Sequence, residues 1–305
     1  MTGVFPVEAA EVMPAIEVVA PGLLTLVEDL GRQGWAHLGV PRAGAADVRS
    51  LRLANRLVGN PEGAAALEVT LHGPRLRFPQ GGWVAACGAQ VDVAVDGRPA
   101  SAQVAVPVRA GAVLEVGRVR AGLRCYVAVR GGIAVPPVLG SRSTDTVGGL
   151  GPGVLHAGDL LPVGDQVVGP VWQEPVPGLA LPAEPVLRVV PGPRDDWFAA
   201  PALGVLTGTA WEVTAASDRT GLRLAGPALP RAGPHRELAS EGMVPGALQV
   251  PPDGRPILFL ANAPTTGGYP VIGVVVAADL PLAGQLSPGH RVRFTRCPPP
   301  FERSG

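Results

Sequence analysis

Four groups of polar residues in this chain have the types and spacing to do chemistry. Asp29 stands three residues before Arg32, and Arg42, Asp47 and Asn55 follow. Next comes the run Gly140-Ser141-Arg142-Ser143-Thr144. The fourth group joins Ser217-Asp218-Arg219 to Gln249 and to Thr265-Thr266-Gly267-Gly268-Tyr269-Pro270. A guanidinium is a planar fork of donors that fits a carboxylate or a phosphate, which makes Arg32, Arg142 and Arg219 candidate clamps for an anionic substrate. Asp29, Asp47 and Asp218 could orient those side chains or bind Mg²⁺; equally, each Asp–Arg pair could be a buried brace. Ser141, Gln249, Thr265, Thr266 and Tyr269 complete a candidate substrate-binding set. The glycines after Thr266 let backbone N–H groups approach a ligand, although a tight turn between strands would use the same residues.

Other chemistries are excluded. All 25 basic residues are arginine, so this chain supplies neither a Schiff-base lysine nor a P-loop lysine. No G-x-S-x-G elbow exists. The run Gly148-Gly149-Leu150-Gly151-Pro152-Gly153 lacks the dinucleotide spacing, and Pro152 removes a donor that a phosphate would need, so it reads as a loop. The histidines show no metal-binding spacing, and no metal site is expected from local motifs. Cys87, Cys125 and Cys297 are far apart with no C-x-x-C, and read as reduced thiols of a cytoplasmic protein, packed as small hydrophobes.

Elements that could position these groups are mostly short strands. Gly (42) and Pro (35) make up a quarter of the 305 residues and punctuate Val- and Leu-rich runs of strand length. Ile16 to Val27 reads as strand, Pro-Gly turn, strand. One convincing helix follows: Asp47 is its N-cap, Val48, Leu51, Ala54, Leu57 and Val58 its apolar stripe, and Gly59-Asn60-Pro61 its end. Asn60-Pro61-Glu62 reads as the start of a very short second helix. Strands then run from Leu67 to about Val163, and others from Val186 to the last at Arg291–Thr295. In that last strand the alternating Arg291 and Arg293 read as a solvated face. Asp195-Asp196-Trp197 reads as a helix start. We therefore expect a mainly β protein with a few short helices: an N-terminal β domain over 15–164, a Pro-rich linker over 165–185, and a C-terminal β domain over 186–297. Residues 1–14 read as a loose leader.

The chain also echoes itself. Asp47-Val48-Arg49-Ser50-Leu51-Arg52-Leu53-Ala54 returns as Asp218-Arg219-Thr220-Gly221-Leu222-Arg223-Leu224-Ala225, and Ala66-Leu67-Glu68-Val69 returns as Ala247-Leu248-Gln249-Val250. Matches in the same order at similar offsets suggest an internal duplication, with a cleft between its copies. Formal net charge is zero, which gives no electrostatic case for nucleic acid or an anionic membrane. The uncharged stretch from Pro256 to Ala278 contains Pro264, Pro270, Asn262 and Thr265-Thr266-Gly267-Gly268, and reads as strand, loop, strand rather than a membrane span.

The ordered motifs Asp29-Leu30-Gly31-Arg32-x-Gly34, Gly39-Val40-Pro41-x-x-Gly44-Ala45-x-Asp47, Ala54-Asn55-Arg56-Leu57-Val58-Gly59-Asn60, Gly131-Gly132-Ile133, Gly140 to Thr144, Ser217-Asp218-Arg219 and Thr265 to Gly273 resemble one family. It is the C subunit of 5-oxoprolinase, also labelled allophanate hydrolase subunit 2, Kip inhibitor antagonist or biotin-dependent carboxyltransferase A/B domain. The resemblance covers about residues 18–296. Its departures are Glu28 for a usual Gln, Ala46 and Thr220 for usual Met residues, and Asn262-Ala263-Pro264 for a usual Asp-x-Gln.

The resemblance implies duplicated cyclophilin-like β-barrel domains. It also implies ATP-dependent opening of 5-oxo-L-proline to L-glutamate, with ATP and Mg²⁺ and in complex with two further proteins, a B subunit of related fold and an A subunit. The site residues it implies are those named above: Asp29, Arg32, Asp47, Asp218 and Arg219 as catalytic, with Ser141, Arg142, Gln249, Thr265, Thr266 and Tyr269 binding substrate. Two alternatives stay open. One is a regulatory binding protein that antagonises a Kip-type kinase inhibitor. The other is half of a biotin-dependent carboxyltransferase acting on a urea-like amide, which would need biotin on a separate carrier.

Overall fold

The computed structural model describes residues 15–233 and 237–297, and the expected leader over 1–14 lies outside them. The first half is one 10-stranded sheet. Its main path runs Leu24–Glu28, Ala66–Thr70, Val113–Val129, Arg75–Arg77, Ala15–Ala20, Leu160–Gln166, Gly131–Ile133. The long strand Gly82–Val95 pairs antiparallel with Val113–Val129, and its outer edge takes Arg98–Ala100 and Ala105–Val108. Alternation sets the faces. In Ala66–Thr70, Leu67 and Val69 enter the main core with Cys125 and Val127, while Ala66 turns to the other face beside Cys87, Tyr126 and Ala128. The thiols of Cys87 and Cys125 are fully buried, and burial pushes the Cys125 thiol up to about 12.

That second face is covered by the expected helix, α1 (Val48–Leu57). The Asp47 carboxylate caps it, accepting from the Ser50 N–H at 3.0 Å and the Ser50 hydroxyl at 2.6 Å. Leu51, Ala54 and Leu57 pack on Ala66, Ala85 and Ala128, whose small side chains let the helix lie close to the sheet. The expected second helix does not form. Residues 61–64 make a single turn, because the Asn60 amide is committed elsewhere: it donates to the Asn55 side chain and the Val129 carbonyl and accepts from the Gly131 N–H. Asn55 is likewise a brace, donating to the Ala64 carbonyl at 2.7 Å.

The Pro-rich stretch between the halves is no free tether over its first part. Val168 and Gly169 N–H groups donate to the Gly59 carbonyl, Trp172 to Leu57, and Val176 to Gln103, which straps residues 168–176 across the end of α1.

The second half is a closed barrel in the order Val186–Pro191, Val271–Val275, Ala247–Gln249, Ile257–Phe259, Gly221–Ala225, Trp211–Val213, Arg291–Arg296. Parallel pairing of the first of these strands with the last closes the ring. Leu187, Val189, Leu222, Leu248, Leu258, Ile272 and Phe294 fill it. Helix α2 (Ala202–Gly208) plugs one side, where its Leu206 carbonyl accepts from the buried Trp211 indole at 2.9 Å. Asp195–Trp197 forms a 3-10 turn, and Pro256 to Ala278 contains the expected strands and loop. Arg291 is exposed and Arg293 half-buried, and both lie beside Glu184. Among the described residues no helix is long and apolar enough to cross a membrane.

The mainly β architecture is as expected, but one echo does not align the two halves. Asp47 to Ala54 is the cap and helix α1, whereas Asp218 to Ala225 is a turn and a strand. The second echo does place strand on strand, Ala66–Thr70 and Ala247–Gln249.

Candidate functional site

The halves meet over a fully buried ionic cluster. Glu68, on the strand Ala66–Thr70, is its hub. One carboxylate oxygen contacts the Arg219 guanidinium and lies 3.3 Å from Arg124 Nε. The other accepts from the Ala46 N–H at 3.0 Å and from the Tyr126 hydroxyl at 2.7 Å. Tyr126 in turn accepts from the Asp47 N–H at 2.7 Å. Arg219 comes from the barrel half and reaches across. Its Nη2 lies 2.9 Å from Glu28 Oε1, donates to the Gly44 carbonyl at 2.6 Å and stands 3.4 Å from Asn262 Oδ1. Asn262 Nδ2 donates back to Thr146 Oγ1 at 3.0 Å.

Arg219 thus faces two carboxylates, Glu28 and Glu68.

The two carboxylates titrate in opposite directions. Burial pushes Glu28 up to about 8; Arg219 opposes this, and Glu68 and Asp29 add to it. Neither Glu28 oxygen has a geometrically sound hydrogen bond, and Arg219 Nη2 at 2.9 Å is its close cation. Burial alone would also raise Glu68, but Arg219 and Arg124, with the Arg219 and Ala46 hydrogen bonds, hold it below the usual range. Burial would lower Arg219, and the two carboxylates raise it instead.

These shifts set a pH dependence. A carboxyl raised in the folded state adds stability below its unfolded value of 4.5, and that stability drains away as pH climbs through about 8. The wild type should therefore lose up to about 1.4 kcal/mol per pH unit within that window from this group. Glu28→Gln should flatten the profile there. Denaturant unfolding between pH 5 and 9 checks it, and parallel profiles for the two proteins would refute the assignment.

A second seam lies beside the first. Gln285 follows α3 (Leu280–Ala283) and is fully buried. Its Oε1 accepts from the Leu123 and Arg124 N–H groups, each at 3.0 Å. Its Nε2 donates to Asp47 Oδ2 at 2.7 Å and to the Arg124 carbonyl at 2.9 Å. The Arg124 guanidinium donates to the Gly284 carbonyl. A Cβ at Gly122, where φ is +89°, would come within 2.9 Å of Gln285 Oε1, so glycine there makes room for the amide. Burial raises Asp47, against the hydrogen bonds from Ser50 and Gln285.

The residues singled out in the sequence do not form one site. Asp29 and Arg32 do not pair with each other. Asp29 accepts from the Ser141 and Ser143 hydroxyls at 2.6 Å each and from the Arg142 N–H at 2.7 Å. Arg32 donates to the Val138 and Ser143 carbonyls. Both thus brace the 138–143 segment, and Arg142 Nε donates to Val135. Asp218 is exposed, accepts from the Thr220 and Gly221 N–H groups, and makes no ion pair with Arg219. Gln249 donates to the Tyr269 carbonyl at 3.2 Å, and Gly267 packs against its amide. Thr265 pairs through its backbone with Met243, while Thr266 and Tyr269 are exposed.

Arg32 and Arg219 are therefore held by protein acceptors, and Arg142 is held through its Nε. Of the expected residues, Asp47 and Arg219 alone enter the interdomain network. Sequence reasoning missed Glu28, Arg124, Tyr126 and Gln285 as members, and met Glu68 merely as an echo of Gln249. A lone charge between apolar neighbours, in Leu67-Glu68-Val69 and Leu123-Arg124-Cys125, was the available signal; Gln285 carried none.

Next to this network lies a cleft of about 630 Å³. Ala43, Ala45 and Ala46 line it from the first half, Leu260 and Ala277 from the second. The segment 43–46 also touches the buried cluster through the Gly44 carbonyl and the Ala46 N–H. Among the described residues no group of three or more His, Cys, Asp or Glu side chains could hold a metal ion.

A ten-stranded sheet joined to a closed barrel, with an arginine of the second held by carboxylates of the first, makes a two-part β protein. Residues 38–296 match the family described as carboxyltransferase domain, subdomain A and B, and the chain belongs to it. It is 37% identical over 285 residues to the C subunit of 5-oxoprolinase from Escherichia coli K12, covering 92% of this chain and 91% of that protein. The solved structure of TTHA0988 superposes with a TM-score of 0.85 at 37% identity, covering 95% of this chain and 57% of that one. The Kluyveromyces lactis urea amidolyase gives a TM-score of 0.88 at 31% identity, but the match spans 19% of that chain.

Proposed function

We propose that this chain is the C subunit of an ATP-dependent 5-oxoprolinase and helps to activate 5-oxo-L-proline for hydrolytic opening to L-glutamate. The supporting observation is its likeness to the E. coli C subunit over nine-tenths of both chains, whereas the urea amidolyase likeness spans a small part of a much longer protein. The chemistry needs little covalent help from protein. Transfer of the γ-phosphoryl group of ATP to the lactam oxygen, with ADP leaving, makes the ring carbon electrophilic. Water adds there, the C–N bond breaks as the nitrogen takes a proton, and a second water cleaves the acyl phosphate to glutamate and phosphate. Positioning and charge stabilisation dominate such transfers. A lysine-free chain with arginines at an interdomain cleft can supply both, with the A and B subunits in the cytoplasm providing the rest, including a hold on Mg²⁺.

The test is ATP-dependent glutamate release by co-expressed A and B subunits with and without this chain. Turnover that needs the chain supports the reading. Equal turnover without it refutes the reading. Biotin-dependent carboxylation of urea by the assembly would replace it with the carboxyltransferase alternative, which the urea amidolyase likeness favours next.

A further inference from the structure

The cleft between the halves carries an unbalanced positive charge. Four arginines line it, Arg42, Arg49, Arg52 and Arg188, against one acid, Asp279. Asp279 is already consumed: Arg188 grips it through Nη2 to Oδ1 at 2.6 Å and Nε to Oδ2 at 3.0 Å. Arg52 lies 3.7 Å from Glu62, a carboxylate shared with Arg56 at 3.2 Å. Arg42 and Arg49 have no ion-pair partner among the described residues.

The sequence accepts a cost to do so. Arg49, Arg52 and Arg56 stand at spacings of three and four along α1, where like charges repel. Arg49 and Arg52 also lie in the N-terminal half of that helix, whose dipole favours negative charge; the Asp47 cap supplies one carboxylate there, and the first turn holds no further acid. One occupant relieves both penalties: an anion set against the start of α1. The hollow is too large for a lone inorganic ion and falls in the range of small-molecule sites, and Leu30, Val48, Leu260 and Leu280 give it apolar walls. A second hollow of about 590 Å³ adjoins it and shares Arg49 and Arg52.

From this we infer that the interdomain cleft binds a phosphorylated small molecule. Arg42, Arg49 and Arg52 hold its phosphate groups, and its organic part lies on the apolar walls. A single carboxylate would leave most of the charge unanswered, whereas a phosphate chain answers two or three guanidiniums with paired, charge-assisted bonds. The choice of ATP as the larger ligand rests on the ring-opening reading, which the inference deepens, while the test reads binding by this chain alone.

The test is calorimetric titration of the isolated full chain with pyrophosphate, ATP and 5-oxoproline in turn, for the wild type and for the exposed double variant Arg49→Gln/Arg52→Gln. We expect pyrophosphate to bind, ATP to bind at least several-fold tighter, and the double variant to lose at least tenfold for both. Without ligand the variant should melt no lower than wild type, because the like-charge repulsion is gone. Absence of binding by both phosphates, or equal affinity in the variant, overturns the site. Binding of 5-oxoproline alone overturns the phosphate assignment, and ATP binding no tighter than pyrophosphate overturns the placement of an organic part. Turnover by the assembled complex is a separate readout, so failure of one reading leaves the other testable.

Discussion

Arg219→Ala should lower the unfolding free energy by about 3–5 kcal/mol, the range for breaking a buried ion pair by removing one partner. Two carboxyl groups lose their shared cation in a place without water: Glu28 and Glu68 are at most 1% exposed. Arg124 still lies 3.3 Å from Glu68, so Glu68 is partly answered, while Glu28 is left with no cation among its described contacts. This asymmetry makes a sharper expectation. Above about pH 8, where Glu28 ionises, adding Glu28→Gln to Arg219→Ala should return part of the loss, and near neutrality, where Glu28 keeps its proton, it should return little; the two changes sit in one network and should not add. Denaturant unfolding of the four proteins of this cycle measures it. A loss below about 1 kcal/mol for Arg219→Ala would mean that the cluster is far wetter or looser than its geometry says. The same variant is a poor probe of catalysis, because any fall in turnover would first report the loss of the interdomain lock.

Gln285→Ala should cost about 2–4 kcal/mol through a different route. No charge is lost. Instead the Leu123 and Arg124 N–H groups lose their acceptor, and the Arg124 carbonyl and one Asp47 oxygen lose a donor, all in a buried seam. Buried backbone donors without partners are expensive, and the amide meets two of them at once. Gln285→Met, which keeps the volume and drops the hydrogen bonds, should fall nearly as far as Ala. A Met variant close to wild type would show that packing rather than hydrogen bonding holds this seam. Gln285→Glu should be worst at neutral pH, where it sets a second carboxylate against Asp47.

The chain's own pattern revealed the β architecture and helix α1, and the reason is local. α1 keeps a stripe through Leu51, Ala54 and Leu57 and has a side-chain cap, so propensity, period and capping agree. The echoed phrase misled because its letters fit two periods. Followed by Leu57 and Val58, L-R-L-A extends a helical stripe. Followed by Gly226-Pro227, the same letters alternate, with Leu222 and Leu224 buried and Arg223 exposed. Even the two aspartates do the same local job, accepting a backbone N–H three residues on, once at a helix cap and once in a turn. The candidate site was less legible still. Arg219 was visible as an arginine beside an aspartate, but its carboxylate partners lie 151 residues or more away in sequence, and short-range spacing holds no record of them.

The way the barrel closes has a consequence for vectorial synthesis. Its ring is sealed by pairing Val186–Pro191 with Arg291–Arg296, its first strand with its last. No sealed ring exists until that final strand has left the ribosome. All strands of the first half have been made well before then, so nascent chains pass through an interval in which Glu28 and Glu68 are present in a half already able to pair its strands, with Arg219 emerged but not yet held by a finished barrel. The interdomain lock is therefore the last ionic contact of this network to be secured.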